Sequence, residues 1–420
     1  MRCRRYSMPK MLMLTLALRN VFRNSRRTLL TVGLIACGLA ALMFTDAMVR
    51  GMSQSMVRIA TGTLLGQAQI HRAGFRRNND VDLYITHSDP LLQLLHDDPA
   101  VAVAAPRVIT GAMLASSENV AAAMVYGVDG AAEAQLGKLQ QAMVAGDYLH
   151  AGNGSAEGQR QLLVGTGLAR LLEVELGDRV VITVSQIQGG DLSQELFRVS
   201  GMFHFNDRML DQNLAFITLP RGQRLLGMDT GVHEIALRLP APPAFDWQRY
   251  NGDWRGQVLQ TLSWEKLIPQ LSGVLEMSNV STLIVAGILF MLVALGLINS
   301  MFMSIYERQY EFGVLLALGT RPVQLFWQIL YEGFFIGVLS ALSGLVLGGL
   351  LTWWKAATGI DYGNLEMSGV TLQEPIFPML HWAQFTWMPL SIVLMTLVAS
   401  LYPAWHAARL QPTRAMRKTL

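Results

Sequence analysis

Residues Ser304–Gly319 read Ser-Ile-Tyr-Glu-Arg-Gln-Tyr-Glu-Phe-Gly-Val-Leu-Leu-Ala-Leu-Gly, and shortly before them Ser281–Ile298 runs for eighteen residues without a charge. At about 1.5 Å of rise per residue that run is about 27 Å long as a helix, close to the hydrocarbon thickness of a bilayer. Glu307 and Glu311 lie four apart and share one helix face, with Arg308 three before Glu311. Gly319 suits a C-terminal cap, and Thr320 with Pro322 suits the start of another helix. The stretch therefore reads as a membrane span that runs into a short amphipathic helix at the membrane face. After it the chain turns back into the bilayer.

Working outward, 51% of the 420 residues are hydrophobic and only 15% are charged, against about 25% charged in soluble domains. Long uncharged runs account for the deficit and point to several spans. Between about Gly51 and Ser263 no apolar run is long enough to cross, so this part is expected to be a large soluble domain. The net charge of +3 matters less than its placement: Arg2, Arg4, Arg5, Lys10, Arg19, Arg23, Arg26 and Arg27 all precede the first span. The positive-inside rule makes that end cytoplasmic, and its position beside a span argues against nucleic acid as its partner. Cys3 and Cys37 are the only cysteines, so the soluble domain cannot rely on disulfides. Leu34-Ile35-Ala36-Cys37 spells a lipoprotein-processing site, but the apolar run continues through Phe44, where a processed lipoprotein would turn polar.

In chain order, residues 1–27 are expected to be a cytoplasmic tail with an interfacial helix, Leu14 to Arg27, whose basic residues face anionic lipid. Residues 28–49 form span one. Residues 50–263 form a mixed α and β domain. Its expected strands are Gln67–Arg72, Val101–Ala105, Ile109–Ala115, Val120–Tyr126, Leu162–Val164, a hairpin of Arg179–Ser185 with Gln194–Phe203, Leu214–Leu219, Glu234–Leu239 and one near Val258. Helices are expected from Asp89, as a cap before Pro90, to His96, then up to Leu172, and from Phe245 to Asp253, after a break at Ala241-Pro242-Pro243. Residues 264–303 are a stalk and span two, 304–321 the amphipathic helix, 322–354 span three, 355–384 an acidic outer loop, 385–402 span four and 403–420 a cytoplasmic tail. The fold class is thus a membrane protein of four transmembrane helices, with a large α+β domain outside between spans one and two. In span three Gly333, Gly337, Gly344 and Gly348 are expected to let helices approach closely. Glu332 is the one acid in that span, near its inner end.

The segment Glu307–Gly319 resembles the cytosolic segment of the FtsX-like or MacB-like ABC transporter permeases, Glu-Arg-x-Arg-Glu-Ile-Gly-x-Leu-Arg-Ala-x-Gly. Glu307, Arg308, Glu311, Gly313, Leu315, Ala317 and Gly319 match. Tyr310 and Leu316 stand where that family often has arginine, and Phe312 replaces isoleucine. The chain's end, Pro403-Ala404-Trp405-His406-Ala407-Ala408-Arg409-Leu410-Gln411-Pro412-Thr413-Arg414-Ala415-Met416-Arg417, is similar to the family's closing motif, with Met416 for leucine. Gly146-Asp147-Tyr148-Leu149, Glu175-Leu176-Gly177-Asp178 and Val199-Ser200-Gly201-Met202-Phe203 look more loosely like words of its periplasmic domain.

The resemblance implies a bacterial inner-membrane permease that works mechanically. A separate cytoplasmic ATPase would grip the coupling residues Glu307, Arg308, Glu311, Gly313, Leu315 and Gly319, and closure would travel along spans one and two. ATP and Mg would sit on that ATPase; this chain is expected to bind no cofactor or metal and to have no catalytic residues. It has no Gly-x-x-x-x-Gly-Lys-Ser/Thr loop, His233-Glu234 lacks the second histidine of a zinc protease because Leu237 stands there, and no Gly-x-Ser-x-Gly elbow occurs. A second permease and membrane lipid are the other implied partners. Substrate lipid is expected between spans one and two of paired permeases, which carry no buried charge, against Gly287, Met291, Ala294 and Asn299. Size and layout look most like the lipoprotein-releasing permeases, which implies a periplasmic lipoprotein carrier at the short, proline-free loop Gln186–Ser193. Efflux of a small amphiphilic compound and mechanical control of a periplasmic hydrolase stay open. A membrane-anchored sensor would need a signalling domain after the last span, and fewer than about twenty residues follow Tyr402.

Overall fold

The computed structural model describes residues 10–150, 160–187, 190–240, 245–361, 365–367, 370–372 and 375–411. The Ala241-Pro242-Pro243 break, Pro412–Arg417 of the closing motif and part of the 186–193 loop lie outside these. The chain divides into two compact units, one of residues 1–54, 275–361 and 375–420, the other of residues 55–274 and 362–374.

The first unit is helical. Among the described residues an N-terminal helix, Lys10–Arg23, precedes four helices long and apolar enough to cross a membrane. Span one is Ser25–Ala60, span two Pro269–Glu307, span three Pro322–Thr358 and span four Trp382–Ala408. Each is longer than its apolar run. Polar residues extend the helical ladder past the lipid-like core, and span four continues through Pro403 into the first part of the closing motif. Between spans two and three lies the separate coupling helix Gln309–Ala317. Gly319 takes φ +96°, and Thr320 N–H bonds back to Leu315 O, the left-handed cap expected there.

Ile35, Leu39 and Met43 of span one meet Leu297 and Met301 of span two, Ile329 of span three and Ile392 of span four in one buried cluster. The buried residues of span two form one ridge, Val293, Leu297, Met301 and Ile305, each four residues from the last, with Phe290, Ala294 and Ile298 partly buried beside it. Four of the five glycines of span three, Gly333, Gly337, Gly344 and Gly348, are buried and face two ways. A Cβ at Gly333 or Gly337 would collide with Ser400 or Thr396 of span four. At Gly344 it would lie 2.9 Å from Ala36 O, and at Gly348 2.9 Å from Ala40 Cα, both of span one. Span three is therefore the central helix, packed close on either side because it lacks side chains there.

The second unit is built on one mixed sheet. Its strands are β1 (Ala68–Arg72), β2 (Val103–Ala115), β3 (Val120–Val128), β4 (Met143–Gly146), β5 (Gln161–Gly165), β6 (Arg179–Ser185), β7 (Leu192–Phe203), β8 (Leu214–Thr218), β9 (Glu234–Arg238), β10 (Gly252–Trp254) and β11 (Gln257–Ser263). They run β10-β11-β1-β9-β2-β3-β8-β5-β7-β4, and β6 bridges β2 and β7. The pairs β3–β8 and β5–β7 are parallel and the others antiparallel. One core lies around Val108, Leu114, Val164, Ile182 and Phe197, another around Ile70, Leu91, Ile235 and Tyr250.

Several expectations need correction. The expected strands Val101–Ala105 and Ile109–Ala115 merge into one, Val103–Ala115, which starts two residues later and passes through Pro106. That proline, which has no N–H, is tolerated where β2 pairs with β9 alone, one residue before pairing with β3 begins. The cap of the helix Asp89–His96 is Ser88, not Asp89, which is its first residue. No helix forms over Phe245–Asp253. Phe245 stacks on Tyr250 at 5.4 Å in a run of turns, and Gly252, at φ +117°, opens the short strand β10. The loop after span three carries a hairpin, Leu365–Met367 with Val370–Leu372.

Candidate coupling site

The helix that begins at Pro269 stops at Glu307 because Arg308 leaves helical geometry, with φ −104° and ψ 11°. The next turn restarts on it: Phe312 N–H donates to Arg308 O at 3.0 Å. A hinge of one residue thus separates span two from the coupling helix, and what holds it is ionic. Arg308 is 8% exposed; its Nη1 donates to Glu332 Oε1 at 2.8 Å and its Nε to Glu311 Oε2 at 3.3 Å. Its guanidinium also lies 4.8 Å from the centre of the buried Phe312 ring. Asn20 Nδ2, from the N-terminal helix, donates to the same Glu332 oxygen at 2.8 Å.

Two further pairs tie the segment to the chain's beginning. Arg23 Nη2 reaches both oxygens of Glu311, at 2.9 and 3.1 Å, and Arg27 Nη1 reaches Glu307 Oε2 at 2.6 Å. Partial burial pushes the Glu311 carboxyl up, but the hydrogen bond and charge of Arg23, with Arg308 behind it, hold it below the usual carboxylate range. Just inside this layer Thr31 and Ser300 share a 2.6 Å hydrogen bond between spans one and two.

The structure brings Glu307, Arg308 and Glu311 together and turns them to different uses. The two acids stay half exposed while paired within the chain. Arg308 faces inward, and Gly313 is buried, so neither presents itself to an outside protein. Leu315 packs against the helical core, and Gly319 is exposed in the turn. The outward side of the segment carries Tyr306, Tyr310 and Leu318 instead. Arg23 and Arg27, expected to face lipid, are committed to the acids. Asn20 and the role of Glu332 as a partner of Arg308 were not anticipated; a lone acid near the end of an apolar helix, with an arginine just outside it, was the available signal.

The candidate substrate-facing residues lie elsewhere. Gly287, Met291 and Asn299 are exposed on one side of span two, while Ala294 is half-buried against the core. Contrary to the expectation of no buried charge in spans one and two, Asp46 of span one is buried. It accepts from Arg50 Nε at 2.9 Å and from Gln384 Nε2 of span four at 2.7 Å. Next to it Met379 N–H donates to Ala47 O at 2.9 Å, and a Cβ at Gly51 would strike Phe377 O. Polar side chains therefore fasten this unit near both ends of its helices. Among the described residues no group of three or more His, Cys, Asp or Glu could hold a metal ion.

The FtsX-like permease C-terminal family matches residues 283–412, and the MacB-like periplasmic core domain family matches residues 28–245. The chain is 28% identical over 347 residues to the lipoprotein-releasing system transmembrane protein LolC of Xylella fastidiosa, covering 76% of this chain and 78% of that one. It is 23% identical over 405 residues to the LolC of Neisseria meningitidis serogroup B, covering 93% and 94%. With the lipoprotein-releasing protein LolE of Haemophilus influenzae it shares 23% over 352 residues, covering 80% and 82%.

Proposed function

The chain belongs to the FtsX-like permease superfamily, with a MacB-like periplasmic core, and from that premise we propose that it extracts lipoproteins from the inner membrane under the drive of a separate ATPase. It is a multi-pass inner-membrane protein, the permease subunit of an ABC transporter, with its periplasmic domain between spans one and two. The lipoprotein substrate is supported by similarity to lipoprotein-releasing proteins over almost the full chain. The coupling reading is supported by one observation above all: a separate helix at the inner turn whose Glu311, with Glu307 just before the hinge, is already held by arginines of the N-terminal segment.

In this reading the ATPase docks on the outward side, Tyr306, Tyr310 and Leu318, beside the half-exposed carboxylates of Glu307 and Glu311. Closure of the ATPase moves the coupling helix, and the ion pairs carry that motion into the N-terminal helix and span one. A second permease covers the exposed apolar side of span two, where lipid would pass Gly287, Met291 and Asn299. The test is reconstitution of permease and ATPase into proteoliposomes with a triacylated lipoprotein, scoring ATP-dependent transfer to a soluble acceptor. Release that needs ATP is expected, as is its loss in Glu311→Lys together with loss of ATPase pull-down. ATP-driven movement of an amphiphilic dye without lipoprotein release would replace this reading by efflux.

A further inference from the structure

We propose that Glu332 is a positioning residue: it fixes the angle at which the coupling helix leaves span two, and it binds that helix to span three and the N-terminal helix. The inference rests on the coupling reading above and deepens it. Its ground is the meeting of three segments on one carboxylate oxygen. Glu332 Oε1 accepts from Arg308 Nη1 and from Asn20 Nδ2, both at 2.8 Å, although the donors lie 24 and 312 residues away along the chain.

The chemistry suits a hinge. At Arg308 the backbone has left the helix, so backbone hydrogen bonds alone do not dictate the direction of the next nine residues. A buried guanidinium with a fixed fork can dictate it, because its N–H groups are directional and its charge must find an acid in a desolvated site. Glu332 is that acid, 7% exposed, on the helix that the glycine contacts make the centre of the bundle. Asn20 contributes a donor without charge, so the pair stays neutral while the N-terminal helix is added to it. Beside the carboxylate lies a cavity of about 20 Å³ lined by Asn20, Arg27, Thr31, Ser300 and Ser304. Val21, Met301 and Ile336 close its other side, and the space suits about one water against the polar groups. A tilt of the coupling helix therefore pulls on span three directly, through Glu332 rather than through span two.

The experiment uses the full permease–ATPase complex and three variants, Glu332→Gln, Arg308→Glu and the exchange Arg308→Glu with Glu332→Arg. Spin labels at the exposed positions Arg19 and Ala317 report the distance between the N-terminal and coupling helices. In wild type a narrow distribution is expected. Glu332→Gln, which keeps the shape and loses the charge, should broaden it and leave ATPase pull-down intact. ATP consumed per molecule released should rise about tenfold or more, the scale of one charge-assisted hydrogen bond. Arg308→Glu should do the same or worse, and the exchange should restore a narrow distribution and bring the ratio back towards wild type. An unchanged distribution in Glu332→Gln overturns the proposal, as does an exchange that assembles with the ATPase but stays broad. The label measurement needs no substrate, so a wrong substrate assignment would fail the release assay and leave this result standing.

Discussion

Two arginines in this protein each sit between two glutamates, and the surroundings give them opposite characters. Arg107, in β2, is fully buried. Its Nε and Nη2 donate to Glu133 at 2.9 and 2.6 Å, and its Nη1 donates to Glu234 at 2.8 Å. Both acids are buried, and His71 lies 3.6 Å from the other oxygen of Glu234. Arg308 has one buried acid, Glu332, and one half exposed, Glu311, which Arg23 also holds. Water can replace Arg308 at Glu311 but nothing can replace Arg107 at Glu133. The first cluster is a lock in the periplasmic domain; the second is a latch at the cytoplasmic turn. Counting ion pairs would not separate them, whereas burial of the acids does.

The hardest blow to this contrast is Arg107→Met. It strands two buried carboxylates and should cost about 3–5 kcal/mol of the domain's stability. Adding Glu133→Leu and Glu234→Leu should recover most of that loss. Urea unfolding followed by hydrogen exchange of β2 and β9 checks both; a single variant as stable as wild type would mean that the cluster is not a lock.

Acid sharpens the same point. Burial alone would raise the Glu234 carboxyl, but the neighbouring His71 and the charge of Arg107 outweigh it and hold it at about 2. An unfolded chain with an ordinary carboxyl takes up the proton first. The stabilisation is therefore complete above about pH 4.5 and is lost as the pH falls towards 2, on the order of 3 kcal/mol for this group. Unfolding midpoints between pH 7 and pH 2.5 should stay flat and then drop, with the drop missing in the triple variant.

At the latch the losses should be smaller and local. Arg308→Met leaves Glu332 with Asn20 and Glu311 with Arg23, so about 1.5–3 kcal/mol is expected. It should appear as faster hydrogen exchange over Gln309–Ala317, with no change in β2. The smallest effect belongs to salt. Arg23–Glu311 is exposed on both sides and worth about 0.2–1 kcal/mol. At about 1 M NaCl, where screening acts over about 3 Å, exchange in the coupling helix should quicken slightly while the Arg107 cluster stays silent. Equal salt responses in both places would erase the distinction.

How much of this could be read in the residues depends on the range of each interaction. The spans were legible because length and lack of charge are local properties, and so was the β6–β7 hairpin, whose strands are close in sequence. The helix Gly130–Leu136 was missed although Asp129 caps it, accepting from Ala131 N–H at 2.9 Å. Arg208–Asn213 was missed in the same way despite the Asp207 cap. Leu219–Leu226 was partly absorbed into the strand before it, although Pro220 in the first turn and Gly227 past the end mark its limits. Those were available signals. The lone acid Glu332, with Arg308 just outside its span, was a signal too, but the meeting of both with Asn20 was not, since it needs three helices packed and no spacing along one helix encodes it. Gly313 was expected to face the ATPase for a related reason: a short helix motif does not say which side its own chain covers.

The register of β1 with β11 carries a consequence for how the protein is made. Ala68 pairs with Ser263 and Arg72 with Leu259, so the first strand of the periplasmic domain lies between β9 and the last strand. At about 5–20 residues per second the ribosome needs about 10–40 s to pass from one partner to the other. Until β9 is made β1 lacks both of its neighbours, and until β11 is made it lacks one. An unpaired strand held at the periplasmic surface is open to wrong pairing with other nascent chains. The domain therefore depends on whatever shields emerging segments in that compartment, and slower synthesis between residues 72 and 234 would lengthen its exposure.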